Sequence, residues 1–269
     1  MAKSAAVRAA PQTFARLVAT HPDAHCELVH ESPFQLLVAT VLSAQSTDVA
    51  VNKATPGLFA KFPSAAALAS APQAVVEKLI GSLGMFRQKS KNIINLSAQL
   101  CAEHGGQVPD RLDALVALSG VGRKTANVVL GVAFGKPEGV VVDTHVQRIS
   151  QRLGWSKQSL PEKIEQDLMR LFPQEQWDRI SHTLIFHGRR VCTARSPACA
   201  ACSIADACPS AFKAENIGRK PARTRAPKVA KKAAHSPAAT KKAARRSAAT
   251  KKAAQRSGAS QAPKKRARR

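Results

Sequence analysis

Acidic residues are scarce in this sequence, and where they are missing matters more than how few there are. Against 42 Lys plus Arg there are only 17 Asp plus Glu in 269 residues, a formal net charge of +25. From Arg219 to Arg269 there is no acidic residue at all. Nineteen of the 42 cations lie there, which leaves 23 against 17, or +6, for residues 1–218. Large hydrophobes are equally rare in that stretch, which holds 16 Ala and one larger apolar residue, Val229. It cannot bury enough apolar surface to offset the entropy of ordering, so it is expected to be disordered. Long apolar runs are missing throughout: none approaches the roughly 18 residues that span a bilayer. No charged segment followed by an apolar one opens the chain either, so a soluble, intracellular protein without a membrane partner is expected. The Ala-rich, acid-free start from Met1 to Pro11 reads as a short frayed end, because Phe14, Leu17 and Val18 already look like the buried side of a first helix. Period-two alternation is absent over any useful length, and Val140 to Val142 is too short a strand-like run to found a sheet. What the composition favours is a polyanionic partner.

Helical periodicity fills residues 12–212. Ser32 and Pro33 suit the cap and first position of a helix, and Phe34, Leu37, Val38, Val41 and Leu42 then share one face. The pattern recurs at Val75, Val76, Leu79 and Ile80, and at Ile93, Leu96 and Leu100 with Gly105 and Gly106 as a stop. It returns at Leu112, Leu115 and Leu118, at Ile164, Leu168 and Leu171, and at Trp177, Ile180, Leu184 and Ile185. The expected fold class is all-α with short connections.

Six Cys are present, and four fall in a C-x6-C-x2-C-x5-C array: Cys192, Cys199, Cys202 and Cys208. Cys26 and Cys101 stand apart and read as small buried hydrophobes. Disulfides do not suit an intracellular chain of this size. Four thiolates in one loop-rich segment can hold either Zn²⁺ or an iron-sulfur cluster. One tight pair flanked by wider gaps, rather than two short knuckles, leans toward iron-sulfur, with a zinc-stapled loop as the alternative. Arg189, Arg190 and Arg195 supply positive charge beside the array.

Between two apolar-periodic segments lies Leu118-Ser119-Gly120-Val121-Gly122-Arg123-Lys124. Gly120 and Gly122 permit a tight turn with positive φ and a close backbone approach. The turn's amides, with a helix N-terminus behind them, suit a phosphate. A plain corner between two helices explains the glycines about as well. Asp143 precedes a helix beginning near Thr144, where N-capping is the ordinary role.

These segments occur in the order of a known family. The cysteine array preceded by His187-Gly188-Arg189, the run Gly122 to Leu130 (GRKTANVVL), Ser43 to Asp48 (SAQSTD), Val51 to Ala54 (VNKA) and Val142 to Val146 (VDTHV) together resemble the endonuclease III family of DNA glycosylases over most of residues 28–208. Ser119 stands where the family's pattern has Pro, so the hairpin is slightly less rigid. The resemblance implies a two-lobed helix-hairpin-helix fold with a 4Fe-4S loop, to which composition adds a disordered basic C-terminal tail. Its expected domains are a six-helix domain at 26–136 carrying the hairpin, an iron-sulfur domain of 1–25 plus 137–212, and a disordered tail at 213–269. It implies a 4Fe-4S cluster on Cys192, Cys199, Cys202 and Cys208 in a structural role. It also implies a base excision repair enzyme that removes oxidised pyrimidines from double-stranded DNA and cleaves 3′ to abasic sites. Lys124 is then the catalytic amine, partly buried behind the hairpin, and Asp143 the acid-base and charge-stabilising partner across a cleft. Gln45 would enter the base stack beside an extruded nucleotide, and Met85 in Gly84-Met85-Phe86-Arg87 would act as a second wedge. Read blandly, Gln45 is a polar helix end and Met85 a core residue. Gly120, Gly122, Arg123, Lys53 and His145 complete the expected DNA-binding set, with Ser43 and Asp48 lining or bracing the site.

Two alternatives remain at this stage. Adenine-mismatch glycosylases of the same superfamily lack a lysine at the position of Lys124 and carry a folded C-terminal domain. A noncatalytic histone-like protein would leave Lys124 and Asp143 with no reason to occur together. The tail contains an imperfect ten-residue repeat, Pro237 to Arg246 and Ser247 to Arg256, similar to linker-histone and bacterial nucleoid-protein tails. If half of it engaged duplex DNA, counterion release would give a log–log salt slope of roughly −8. A monomer in the bacterial cytoplasm, associated with the nucleoid, is expected.

Overall fold

A computed structural model describes residues 4–214 together with 217 and 218. The expected disorder of the Lys/Ala repeats falls outside these residues. Twelve α-helices and three single 3₁₀ turns are present, and no strand occurs among the described residues. The chain opens with α1 (Ala5–Arg8) and α2 (Ala10–Thr20). It continues through α3 (Pro33–Leu42), α4 (Asp48–Lys61), α5 (Ala65–Ala69), α6 (Gln73–Leu79), α7 (Phe86–His104), α8 (Leu112–Val116) and α9 (Arg123–Phe134). It closes with α10 (Thr144–Arg152), α11 (Pro161–Leu171) and α12 (Trp177–Arg190).

Two separate apolar cores result. One gathers side chains between Leu28 and Leu130, from α3 to α9. The other joins Phe14 and Leu17 of α2 to Val140, α10, α11, α12 and Ile204. The chain therefore begins on the second core, crosses to the first over residues 21–32, and returns over residues 135–143.

Local chemistry explains the elements that matter for this layout. Ser32 caps α3, its Oγ accepting from the Gln35 amide at 3.2 Å, and Pro33 opens the helix where no amide partner is lost. The periodicity suggests one buried face, yet every residue of α3 except Pro33 and Gln35 is buried, because α4, α7 and α9 pack around it. Gly105 ends α7 in the left-handed region, as the Gly-Gly stop suggests. Seven helices, not six, build the first core. α4 shows no clear apolar stripe and carries Pro56 inside it, and is held instead by Thr47, whose side chain caps the Ala50 amide.

Val140 to Val142 is not a strand. Val140 and Val141 are buried, and the Val141 amide donates to Ser181 Oγ at 2.9 Å, which ties the returning crossover to α12 just before Asp143. The outgoing crossover is pinned from both sides. Arg179 donates to the carbonyls of Ala24 (3.0 Å) and Pro22 (2.9 Å), and Asn52 of α4 exchanges hydrogen bonds with Glu27 and Val29. Ordered packing runs beyond residue 212, where the tail was expected to begin. Ala214 is buried, and the carbonyl of Ile217 accepts from Arg152 Nε at 3.0 Å.

Candidate active site

The hairpin comes first, because it fixes where Lys124 begins. α8, the turn at residues 117–122 and α9 form a helix-hairpin-helix. Gly120 has φ +77°, and a Cβ there would lie 2.7 Å from Asn92 Nδ2 and 2.9 Å from Asn92 Cβ, so glycine is required twice over. Gly122 differs from expectation. Its φ of −98° suits any residue, and a Cβ would meet nothing within 4 Å, so its bareness leaves an open face at the N-terminus of α9. No side chain caps that end, and the exposed amides with the helix dipole suit an anion. α7 buttresses the turn from behind: the Ser119 amide donates to Gln99 Oε1 at 2.8 Å.

Lys124, the second residue of α9, lies on the first core's side of a cleft. The residue is exposed, not partly buried as the sequence suggested. Asp143 lies on the second core's side as the N-cap of α10, and both residues line the same pocket. Asp143 accepts the amides of His145 and Val146, each at 2.8 Å, and both bonds fall on Oδ1. Among the described residues Oδ2 makes no hydrogen bond, so capping occupies one oxygen and leaves the other for chemistry.

Ser43, Asp48, Ser181, His182 and Arg189 complete the polar wall, with Cys26 and Val128 on the apolar side. Burial pushes the Asp48 carboxyl above its ordinary range. Lys124 opposes this shift, while the negative charge of Asp143 adds to it, so the two carboxylates and the amine act on one another. Arg189 spans the cleft from α12, donating to Asp48 Oδ2 at 2.7 Å and pairing with Glu27. Arg190 pairs with Asp23 at 2.9 Å and stacks over Phe186. These two cations, read from sequence as charge for the cysteine loop, are instead engaged with carboxylates.

Gln45 and Met85 are exposed and both hold left-handed backbones, φ 56° and 57°. Non-glycine residues rarely adopt this region. Met85 is 52 % exposed, which removes its reading as a core residue. Their loops touch: a Cβ on Gly84 would sit 3.9 Å from the Gln45 carbonyl. Lys89 of α7, buried at 3 % exposure, reaches under both loops to donate to Ser46 Oγ at 2.8 Å. His145 and Asp143 line the open groove that continues the cleft, and Lys53 is exposed on α4. Arg123 is differently engaged, its guanidinium pairing with Glu165 of α11 at 3.0 Å.

The four cysteines, none of them in a disulfide, line one cavity with Ile149, Leu153 and Ile204. Among the described residues no three ligating side chains converge as they would on a single ion. Arg152, 1 % exposed, donates to Cys192 Sγ at 3.2 Å and to the carbonyls of Thr193 and Ala194. Arg148 donates to Gly188 and Cys192 carbonyls. Neither buried guanidinium has an ion-pair partner among the described residues, and a thiolate-ligated cluster supplies the negative charge they need. The donor set and its surroundings therefore fit an iron-sulfur cluster.

Comparison with known proteins agrees with this geometry. Residues 38–174 match the HhH-GPD superfamily of base excision DNA repair proteins, and residues 192–208 match the iron-sulfur binding domain of endonuclease III. Endonuclease III of Synechocystis sp. is 53 % identical over 191 residues, covering 71 % of this chain and 87 % of that protein. Endonuclease III of Escherichia coli is 43 % identical over 193 residues, covering 72 % and 91 %. The chain belongs to the endonuclease III family. Within the family, a non-covalent endonuclease III–DNA complex superposes with a TM-score of 0.73 at 42 % identity, covering 78 % of this chain and 97 % of that one. A trapped endonuclease III–DNA covalent intermediate superposes equally well. Membership assigns a 4Fe-4S cluster to this chain and takes away the zinc alternative.

Lys89 generates a stability prediction. Burial lowers its pKa, so between that lowered value and the ordinary lysine range the unfolded chain binds more protons than the folded one, and stability rises with pH. Lys89→Met should match or exceed the parent's stability near neutral pH, because an apolar side chain replaces a buried charge. It should also lose the rise toward alkaline pH. Urea midpoints at about pH 7 and about pH 9.5 check this, and equal pH dependence in both proteins would contradict it.

Proposed function

We propose that Lys124 is the nucleophile and Asp143 its proton acceptor in a DNA glycosylase and AP lyase of base excision repair. The observation that carries the residue assignment is that these two side chains, one from each core, line a single pocket. The enzyme class follows from family membership, which decides against the mismatch-adenine and histone-like alternatives. Oxidised pyrimidines in duplex DNA are the substrates the reading adopts.

The hairpin amides and the bare face of Gly122 hold the DNA backbone. Gln45 and Met85, on strained and mutually packed loops, fill the space left by the extruded nucleotide and offset part of the few kcal/mol that flipping costs. Asp143 takes a proton from the Lys124 ammonium, and the free amine attacks C1′. The C1′–N bond breaks, and its electron pair leaves with the base, which takes up the proton from Asp143 as it departs and so restores the carboxylate. The lysine adduct opens to a Schiff base. Loss of a C2′ proton then sends electrons toward the iminium and expels the 3′ phosphate. The carboxylate of Asp143 also stabilises positive charge developing at C1′. Cys192, Cys199, Cys202 and Cys208 would hold the cluster, which would fix the loop that follows α12 without taking part in bond breaking. The domain reading keeps the two cores as separate lobes, one bearing the hairpin and one the cluster. Action as a monomer at the nucleoid belongs to the same proposal.

Lys124→Gln should abolish the borohydride-trapped adduct with abasic-site DNA, and an undiminished adduct would remove the lyase mechanism. Asp143→Asn should keep the α10 cap, since Asn caps as well as Asp. It should still slow base release by about 10²-fold or more. Single-turnover rates beside thermal midpoints separate the two effects.

The basic tail is proposed as a sequence-independent DNA contact. Full-length protein should show a log–log salt slope steeper by roughly 8 than a chain ending at Gly218. Equal slopes would make the tail a bystander.

A further inference from the structure

Glu165 makes contacts that the chemistry above does not use. It stands on α11 at 7 % exposure, beside Ile164 and Leu168 of the second core, and directs its carboxylate toward α9 of the first. Arg123 donates Nη2 to Oε1 at 3.0 Å and Nε to Oε2 at 3.2 Å, and Asn127 donates Nδ2 to Oε1 at 3.0 Å. These donors flank Lys124, one residue before it and three after. Their helix is anchored in the first core by Ala126, Val129 and Leu130. Gly139, in the returning crossover, leaves the carboxylate its space: a Cβ there would collide with Glu165 Oε1 and lie 2.6 Å from Asn127 Nδ2.

A buried carboxylate persists only if donors replace its water. Here all of them come from the first two turns of α9, whose helix dipole adds to the attraction. α11 also packs on α10, the helix that Asp143 caps. A path of contacts therefore runs from Lys124 along α9 to Glu165, and through α11 and α10 to Asp143. The distance between the reacting groups is a distance between two lobes, and this contact spans the lobes beside the lysine.

We infer that Glu165 is a positioning residue that holds Lys124 against Asp143 by gripping the first two turns of α9 through Arg123 and Asn127, so that Arg123 serves this latch and not a DNA phosphate. The inference rests on the reading of Lys124 and Asp143 as the reacting pair.

The test measures two quantities on an abasic-site duplex, the single-turnover rate of the trapped adduct and the Kd. It compares full-length protein with Arg123→Met, Glu165→Gln, the double variant and Lys124→Gln. Each single change should slow adduct formation by about tenfold, since small misplacements of reacting groups are costly. The double variant should be no slower than either single, because both remove one contact. Kd should stay within about twofold, a change of under 0.5 kcal/mol. Arg123→Lys, which keeps one N–H on the carboxylate, should recover part of the rate.

Arg123→Met weakening binding and flattening the salt slope by about 0.9, with Glu165→Gln unchanged, would make Arg123 a phosphate ligand and overturn the latch. Additive slowing by the two changes would overturn it as well. If Glu165→Gln does not fold, Arg123→Met decides alone, because its side chain is half exposed, and an unchanged adduct rate refutes the proposal. An adduct surviving in Lys124→Gln would instead fail the lysine assignment and take the latch with it.

Discussion

A lysine on one apolar core and an aspartate on another can act together only while the two cores keep register. The chain crosses between them twice, and both crossings are fastened. The outgoing one is held by Arg179, Arg190 and Asn52, the returning one by Ser181. Arg189 adds a bridge at the cleft wall, pairing with Asp48 and Glu27, and Glu165 adds another beside the hairpin. The bridges of Arg189 and Glu165 are half-buried or buried on at least one side, where breaking one partner is more costly than at a free surface, whereas Arg190–Asp23 is exposed on both sides.

The same economy shows in the single residues. Asp143 uses one oxygen to cap α10 and keeps the other in the pocket, so the helix that positions the carboxylate is itself started by it. Gln45 and Met85 carry backbone strain on two neighbouring loops. Arg148 and Arg152 connect α10 to the cysteine loop, so the cluster and the capped aspartate share one helix.

Much of this was legible in the sequence, and for identifiable reasons. Periodicity exposed α7, α8, α11 and α12 because each buries an apolar stripe, and α3 because its apolar run is buried nearly all round, while Ser32-Pro33 and Gly105 marked ends through their own backbone chemistry. Motif blocks located Lys124, Asp143 and the four cysteines. α4 was not legible as a helix, because Pro56 and its mixed face blur the period. The carboxylate partners of Arg123, Arg189 and Arg190 were not legible, since a cation's partner is set by tertiary placement and not by its neighbours in the chain. Glu165 and Lys89 escaped notice although each is a charge on a buried flank: Glu165 falls three residues before Leu168, and Lys89 four before Ile93. That offset is the signal a sequence reading could have used.

The central claim is that the amine forming the covalent bond to DNA is the one at the start of α9. The most direct measurement is to trap full-length protein on an abasic-site duplex with borohydride, digest the complex, and locate the attached sugar by mass spectrometry. The account expects the modification on Lys124 alone. Attachment at Lys53, Lys89, the N-terminus or a tail lysine, with Lys124 unmodified, would contradict it.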